Sequence, residues 1–166
     1  MKVQMTHNGK TVEVELTDEQ FEKLFTEKKT GYERVEVGEL YYSVNVLSNP
    51  QKFTEDNASY DKTLFDCANY FSDKTVAENM ARAQRLWNKI HRRVMELCEP
   101  VYQRKDGSLY TICFDPQDNK IFADDWVTRH FGEIYFDTEE HGNQVINEFH
   151  DELIWYFTQF KDRADM

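Results

Sequence analysis

The stretches NYFSDKTVAENMA (69–81) and IYFDTEEHGNQVI (134–146) follow one plan. Each opens on a Tyr-Phe pair, Tyr70-Phe71 and Tyr135-Phe136. A short polar residue follows, and then a run with helical spacing. Aromatic pairs favour strands, and Ser, Asp or Thr ahead of an apolar-periodic run marks a helix start. The chain is therefore expected to pass from strand into helix twice.

Working outward, the parallel continues. GELYYSV from Gly38 matches GSLYTIC from Gly107, and NPQKF from Asn49 matches PQDNKIF from Pro116. FDCANYFSDK from Phe65 corresponds more loosely to RHFGEIYFDTEE from Arg129. The offset falls from 69 at the glycines to 65 at the Tyr-Phe pairs. This predicts an α+β fold with two repeated antiparallel β-meander-plus-helix units, 32–100 and 101–166, sharing a core. A β-hairpin plus helix, 1–31, precedes them.

In that first segment KVQMT and TVEVEL flank Asn8-Gly9, the pair that a tight hairpin turn prefers. Thr17 with Gln20 forms a capping box for a helix from Asp18 to about Lys28. In the first unit, Val35 and Val37, then Tyr42, Val44 and Val46, alternate with polar residues as strands do. NASYDKTLFDCANYF reads as a loop or a short helical turn, then a brief strand ending at Phe71. Ser72 is expected to cap a helix from Asp73 to about Cys98. Its stripe would be Val76, Met80, Ala83, Trp87, Ile90, Val94 and Leu97, with Pro100 as the stop. In the second unit, DPQDN turns a hairpin over 107–126 and FGEIYFD supplies a third strand. Asp137 or Thr138 then caps a helix to about Phe160, apolar at Val145, Ile146, Phe149, Leu153, Tyr156 and Phe160.

Aromatic residues make up 14% of the 166 residues, enough for a core and some contact surface. Cys67, Cys98 and Cys113 have no CxxC spacing, so cysteines alone do not frame a zinc site. Reduced, partly buried thiols are expected. No apolar run suits a leader or a membrane span, which implies a soluble, cytoplasmic protein without membrane contact.

The net charge of −11 is unevenly laid out. Residues 1–72 carry −5, residues 73–105 carry +4, and residues 106–166 carry −10. Such acidity opposes non-specific coating of DNA and suits a basic partner. Within the basic segment, Arg82, Arg85, Lys89, Arg92 and Arg93 fall along one flank of the predicted helix. They could meet phosphate or an acidic protein, or pair with the acidic third of the same chain. Asp137, Glu139, Glu140, Glu148, Asp151 and Glu152 form the acidic counterpart. Helix capping and solvation account for such residues. A ridge that imitates nucleic-acid phosphate is the sharper alternative. Trp155, Tyr156 and Phe160 lie in LIWYFTQF, where apolar residues surround the helix. Another part of the chain, a partner or a second copy in a homodimer must cover them.

Catalytic and metal motifs are missing from this sequence. His7, His91, His130, His141 and His150 show no ligand spacing, so no metal and no cofactor is expected. Asp115, Asp118, Asp124 and Asp125 could be proposed as nuclease carboxylates. Their place along a hairpin and its exit favours solvated turn residues. The expectation is a protein without enzymatic activity.

TGYERVEVGELYYSVN (30–45), YDKTLFDCANYFSDKTVAENMARAQRLW (60–87) and GEIYFDTEEHGNQVINEF (132–149) resemble small accessory proteins of Firmicutes phages and prophages. The resemblance implies a role in the dealings of a mobile element with its host. By analogy of class it points to inhibitors of host defence such as anti-CRISPR proteins. The partner would then be a host protein, a CRISPR effector nuclease or its guide RNA. A nucleic-acid-binding regulator using residues 82–93 is the alternative. A metal-dependent hydrolase comes third.

Overall fold

The computed structural model describes residues 2–7, 9–18, 20, 30–98, 109–126 and 133–160. Within them the fold is α+β: three antiparallel hairpins, the second and third each followed by helices. The first hairpin pairs β1 (Lys2–His7) with β2 (Lys10–Glu15), and Gly9 at its turn has φ +74°, which suits glycine. The Thr17–Gln20 box is present in both directions, at 3.1 and 3.2 Å. Most of the helix expected after it lies outside the described residues.

The second hairpin pairs β3 (Leu40–Val44) with β4 (Pro50–Thr54), and the third pairs β5 (Leu109–Asp115) with β6 (Lys120–Trp126). Helix α1 (Ser59–Asp66) fills the stretch whose sequence left a loop or a helical turn open. Val35 and Val37 lie outside any strand. The third strand of each expected meander shrinks to one bridging residue: Phe71 pairs with Tyr42, and Phe136 pairs with Tyr110. Capped helices follow, α2 (Lys74–Leu97) and α3 (Glu139–Glu148).

Hairpin, bridge and capped helix thus occur twice, with a register the glycines do not predict. Aligning Gly38 with Gly107 sets Tyr41 beside Tyr110. The bridges and the burial pattern instead match Tyr42 with Tyr110, one residue along. Tyr41 is buried where Leu109 is, and Ser43 where Thr111 is.

The cap of α2 also differs from expectation. Asp73, not Ser72, accepts the Val76 N–H, at 3.0 Å. Ser72 is held by another loop: its N–H donates to Gly31 O and its hydroxyl to Glu33. Glu33 also accepts from Gly31 N–H and from the backbone and hydroxyl of Thr30, which holds its carboxyl down to about 2.

Helix α2 runs through both halves. Ala77 and Ala81 pack with Val44 and Phe71 in one cluster, and Leu86 and Ile90 pack with Phe136, Val145, Ile146 and Leu153 in another. The buried face is therefore 77, 81, 83, 86 and 90: Ala83 and Ile90 belong to the expected stripe, Ala77 and Ala81 take the place of the partly buried Val76 and Met80, and Leu86 takes that of Trp87, which is left 47% exposed. Small side chains at 77 and 81 let β3 and Phe71 approach the helix closely. The last helix breaks at Phe149 (φ −116°, ψ 21°). It resumes as α4 (His150–Trp155) and widens into a π-helical turn, Tyr156–Phe160.

A third cluster has a polar heart. Tyr41 and Tyr70 stack at 4.0 Å beside Leu64 and Phe53. The Tyr41 hydroxyl donates to buried Asp61 at 2.6 Å, and the Tyr70 hydroxyl donates to buried Glu55 at 2.8 Å. Arg34 grips Glu55 with two bonds, 3.1 and 2.8 Å. Each oxygen of these two carboxylates accepts at least one hydrogen bond, the condition under which buried carboxylates are tolerated. Among the described residues no helix is long and apolar enough to cross a membrane.

Candidate functional site

The basic flank of α2 turns largely onto its own chain. Arg93 bonds Glu148 of α3 at 2.8 Å and Glu96 at 2.9 Å. Lys89 reaches Glu152 of α4 at 3.8 Å. The Arg82 guanidinium lies 3.9 Å from the ring centroid of Trp155. Arg85 donates to the carbonyl of Ser48 in the β3–β4 turn. Arg92 is largely exposed and pairs at 3.9 Å with Glu96. Helices α2, α3 and α4 are thus joined by alternating charges, and each exposed pair contributes little individually.

The acidic residues divide accordingly. Glu148 and Glu152 face the basic flank, and Asp137 pairs with His141. Glu139 and Glu140 stand exposed in the first turn of α3, where the helix dipole favours them. Asp151 is fully exposed, with His150 as its near neighbour at 3.4 Å.

Of the expected aromatic interface, Trp155 is buried under Arg82 rather than displayed. Tyr156 and Phe160 line an open groove of about 630 Å³ with Val44, Met80, Ala83 and Trp87. Val46, fully exposed, and Leu47, 72% exposed, project from the β3–β4 turn beside it. Sequence periodicity hid this groove because it assigned Trp87 and Val46 to the interior.

The hairpin carboxylates stay apart. Asp115 sits at one end of the β5–β6 ladder and accepts from Gln117 N–H at 2.8 Å; Asp125 sits near the other, opposite Tyr110. One group with metal-ligand potential does form among the described residues, and it lies elsewhere. Cys98 Sγ, Asp137 Oδ1 and His141 Nδ1 come within 4.8 Å of one another. His141 Nδ1 is 2.6 Å from Asp137 and 4.0 Å from Cys98. Both neighbours meet the same ring nitrogen. A nucleophile-base-orienter triad needs the two opposite nitrogens, so this is not one.

Comparison of the chain with protein-family models, with curated proteins and with solved structures returns no match.

Proposed function

We propose that the protein is a non-enzymatic, phage-type inhibitor of host defence, of the anti-CRISPR kind, acting in the host cytoplasm. In this reading its acidic α3–α4 face occupies a basic nucleic-acid-binding surface on an RNA-guided nuclease of a Firmicutes host. The observation that carries the reading is the fate of the charges. Lys89 and Arg93 engage Glu152 and Glu148, while Glu139, Glu140 and Asp151 point to solvent. These exposed carboxylates offer a partner an anionic patch, on a chain of net charge −11. Carboxylates carried by two successive helices offer a basic channel negative charge as phosphate would. The phage assignment rests on the sequence resemblance.

The test uses a purified Firmicutes RNA-guided nuclease. Target binding and cleavage are measured with increasing amounts of the protein at two salt concentrations. Loss of target binding, weaker at high salt and abolished by the triple change Glu139→Lys, Glu140→Lys, Asp151→Lys, is expected. Salt-dependent binding of bare DNA or RNA by the protein, lost in Arg85→Ala, Lys89→Ala, Arg92→Ala, would instead make it a nucleic-acid-binding regulator. A full set of nucleases left unaffected would end the inhibitor reading.

A further inference from the structure

We propose that Cys98, Asp137 and His141 form a binding site for a divalent transition-metal ion, zinc by its ligand chemistry, which clips the end of α2 to the start of α3. The three residues come from two separate places. Cys98 is the C-terminal cap of α2, Asp137 precedes the Thr138 cap of α3, and His141 stands in that helix's first turn. The Thr138 hydroxyl accepts the His141 N–H at 3.2 Å and so fixes the backbone that carries the ring. Val94, Leu97 and Cys98 pack against the apolar cluster around Phe136 and Val145, so the thiol is anchored from below.

Thiolate, imidazole and carboxylate together match zinc better than magnesium or calcium, which prefer oxygen alone. Tetrahedral zinc would set its ligand atoms roughly 3.3–3.6 Å apart. The separations of 2.6 Å for nitrogen to oxygen and 4.0 Å for sulfur to nitrogen bracket that spacing. With all three on one ion, the metal takes the place of the His141–Asp137 hydrogen bond, and the neutral imidazole binds through Nδ1 with its proton on Nε2. Binding deprotonates the thiol and releases a proton to solvent. Among the described residues no fourth ligand joins the group. Asp137 is mostly buried and His141 about one-third exposed, with side-chain exposures of 12% and 30%, which leaves the ion a path in.

The site is independent of any partner. Its test is titration of the chelator-treated protein with Co²⁺, then Zn²⁺. One equivalent of Co²⁺ should give a thiolate-to-metal charge-transfer band and the intense visible bands of a tetrahedral ion, which Zn²⁺ then displaces. Cys98→Ser should remove the charge-transfer band. Asp137→Asn, which keeps the side-chain shape, should weaken binding at least tenfold, as should His141→Gln. The double change Cys67→Ser, Cys113→Ser should leave the signal intact. Zinc should raise the melting temperature of the parent chain but not of Cys98→Ser. Circular dichroism checks that each variant is folded. A band that survives in Cys98→Ser, a band lost in the Cys67/Cys113 variant, or an absence of binding at micromolar metal would each overturn the proposal.

Discussion

The guanidinium of Arg82 covers the indole of Trp155, 3.9 Å from its centroid, and seals one of the largest rings in the chain against water. Arg is well suited to this because its planar, weakly hydrated head stacks on an aromatic face while its stem covers apolar surface. Arg82→Ala should uncover the ring and lower stability by about 1 kcal/mol. Tryptophan emission should shift to the red, and iodide quenching should increase. Arg82→Lys should recover less than half of the loss, because an ammonium cannot stack. Unchanged emission in Arg82→Ala would show that the pair does not form in solution.

The carboxylates of the first unit should govern acid stability. Hydrogen bonding from Tyr41, with help from the backbone N–H groups of Asp56 and Ala58, holds Asp61 at about 2. Arg34 and then Tyr70 lower Glu55. A carboxylate whose folded value is depressed stabilises fully above its unfolded value, about 4 for both residues. That contribution is lost as pH falls through the folded value. Urea midpoints should therefore decline between about pH 4 and pH 2. Asp61→Asn should be less stable at neutral pH and should show a shallower decline. Equal slopes in the parent and the variant would assign the acid sensitivity to other groups.

At Gly142, helix α3 approaches the β6 strand. A Cβ there would come within 2.8 Å of the Ala123 Cβ, closer than two carbons can pack. Gly142→Ala should destabilise by about 1–3 kcal/mol although alanine is the better helix former. Adding Ala123→Gly should restore a measurable part of that loss. Failure of the second change to help would locate the strain elsewhere.

Asp73 rather than Ser72 caps α2, so Asp73→Ala should cost about 1 kcal/mol. Asp73→Ser should restore most of it, since a hydroxyl also accepts the Val76 N–H. Ser72→Ala should act through the Glu33 loop instead, and its cost should disappear in a Glu33→Ala background. Hydrogen exchange at Val76 distinguishes them: only Asp73→Ala should accelerate it.

Features that depend on near neighbours were legible in the sequence. The turn at Gly9, the Thr17–Gln20 box, a cap at Asp137 or Thr138 and the DPQDN turn involve residues at most a few positions apart. The buried face of α2 was legible at Ala83 and Ile90 but not at Ala77, Ala81 and Leu86. Val76, Met80 and Trp87 outrank Ala77 and Ala81 in hydrophobicity, yet close approach of β3 selects the small face. Buried Glu55 and Asp61 were invisible because their partners, Arg34 and Tyr41, lie 21 and 20 residues away. His141 looked solitary for the same reason: Cys98 is 43 residues upstream, at the far end of another helix. The basic flank could be read as charge. That it turns toward Glu148 and Glu152 depended on where α3 and α4 dock.

Because α2 contributes Ala77 and Ala81 to one core and Leu86 and Ile90 to the other, neither half can melt without stripping the helix that completes its neighbour. The two cores should accordingly unfold in a single cooperative step, with the mid-helix amides around Ala83 to Leu86 opening only with both. A force or ligand that shifts α2 along its axis at one end would be felt in the packing of the other.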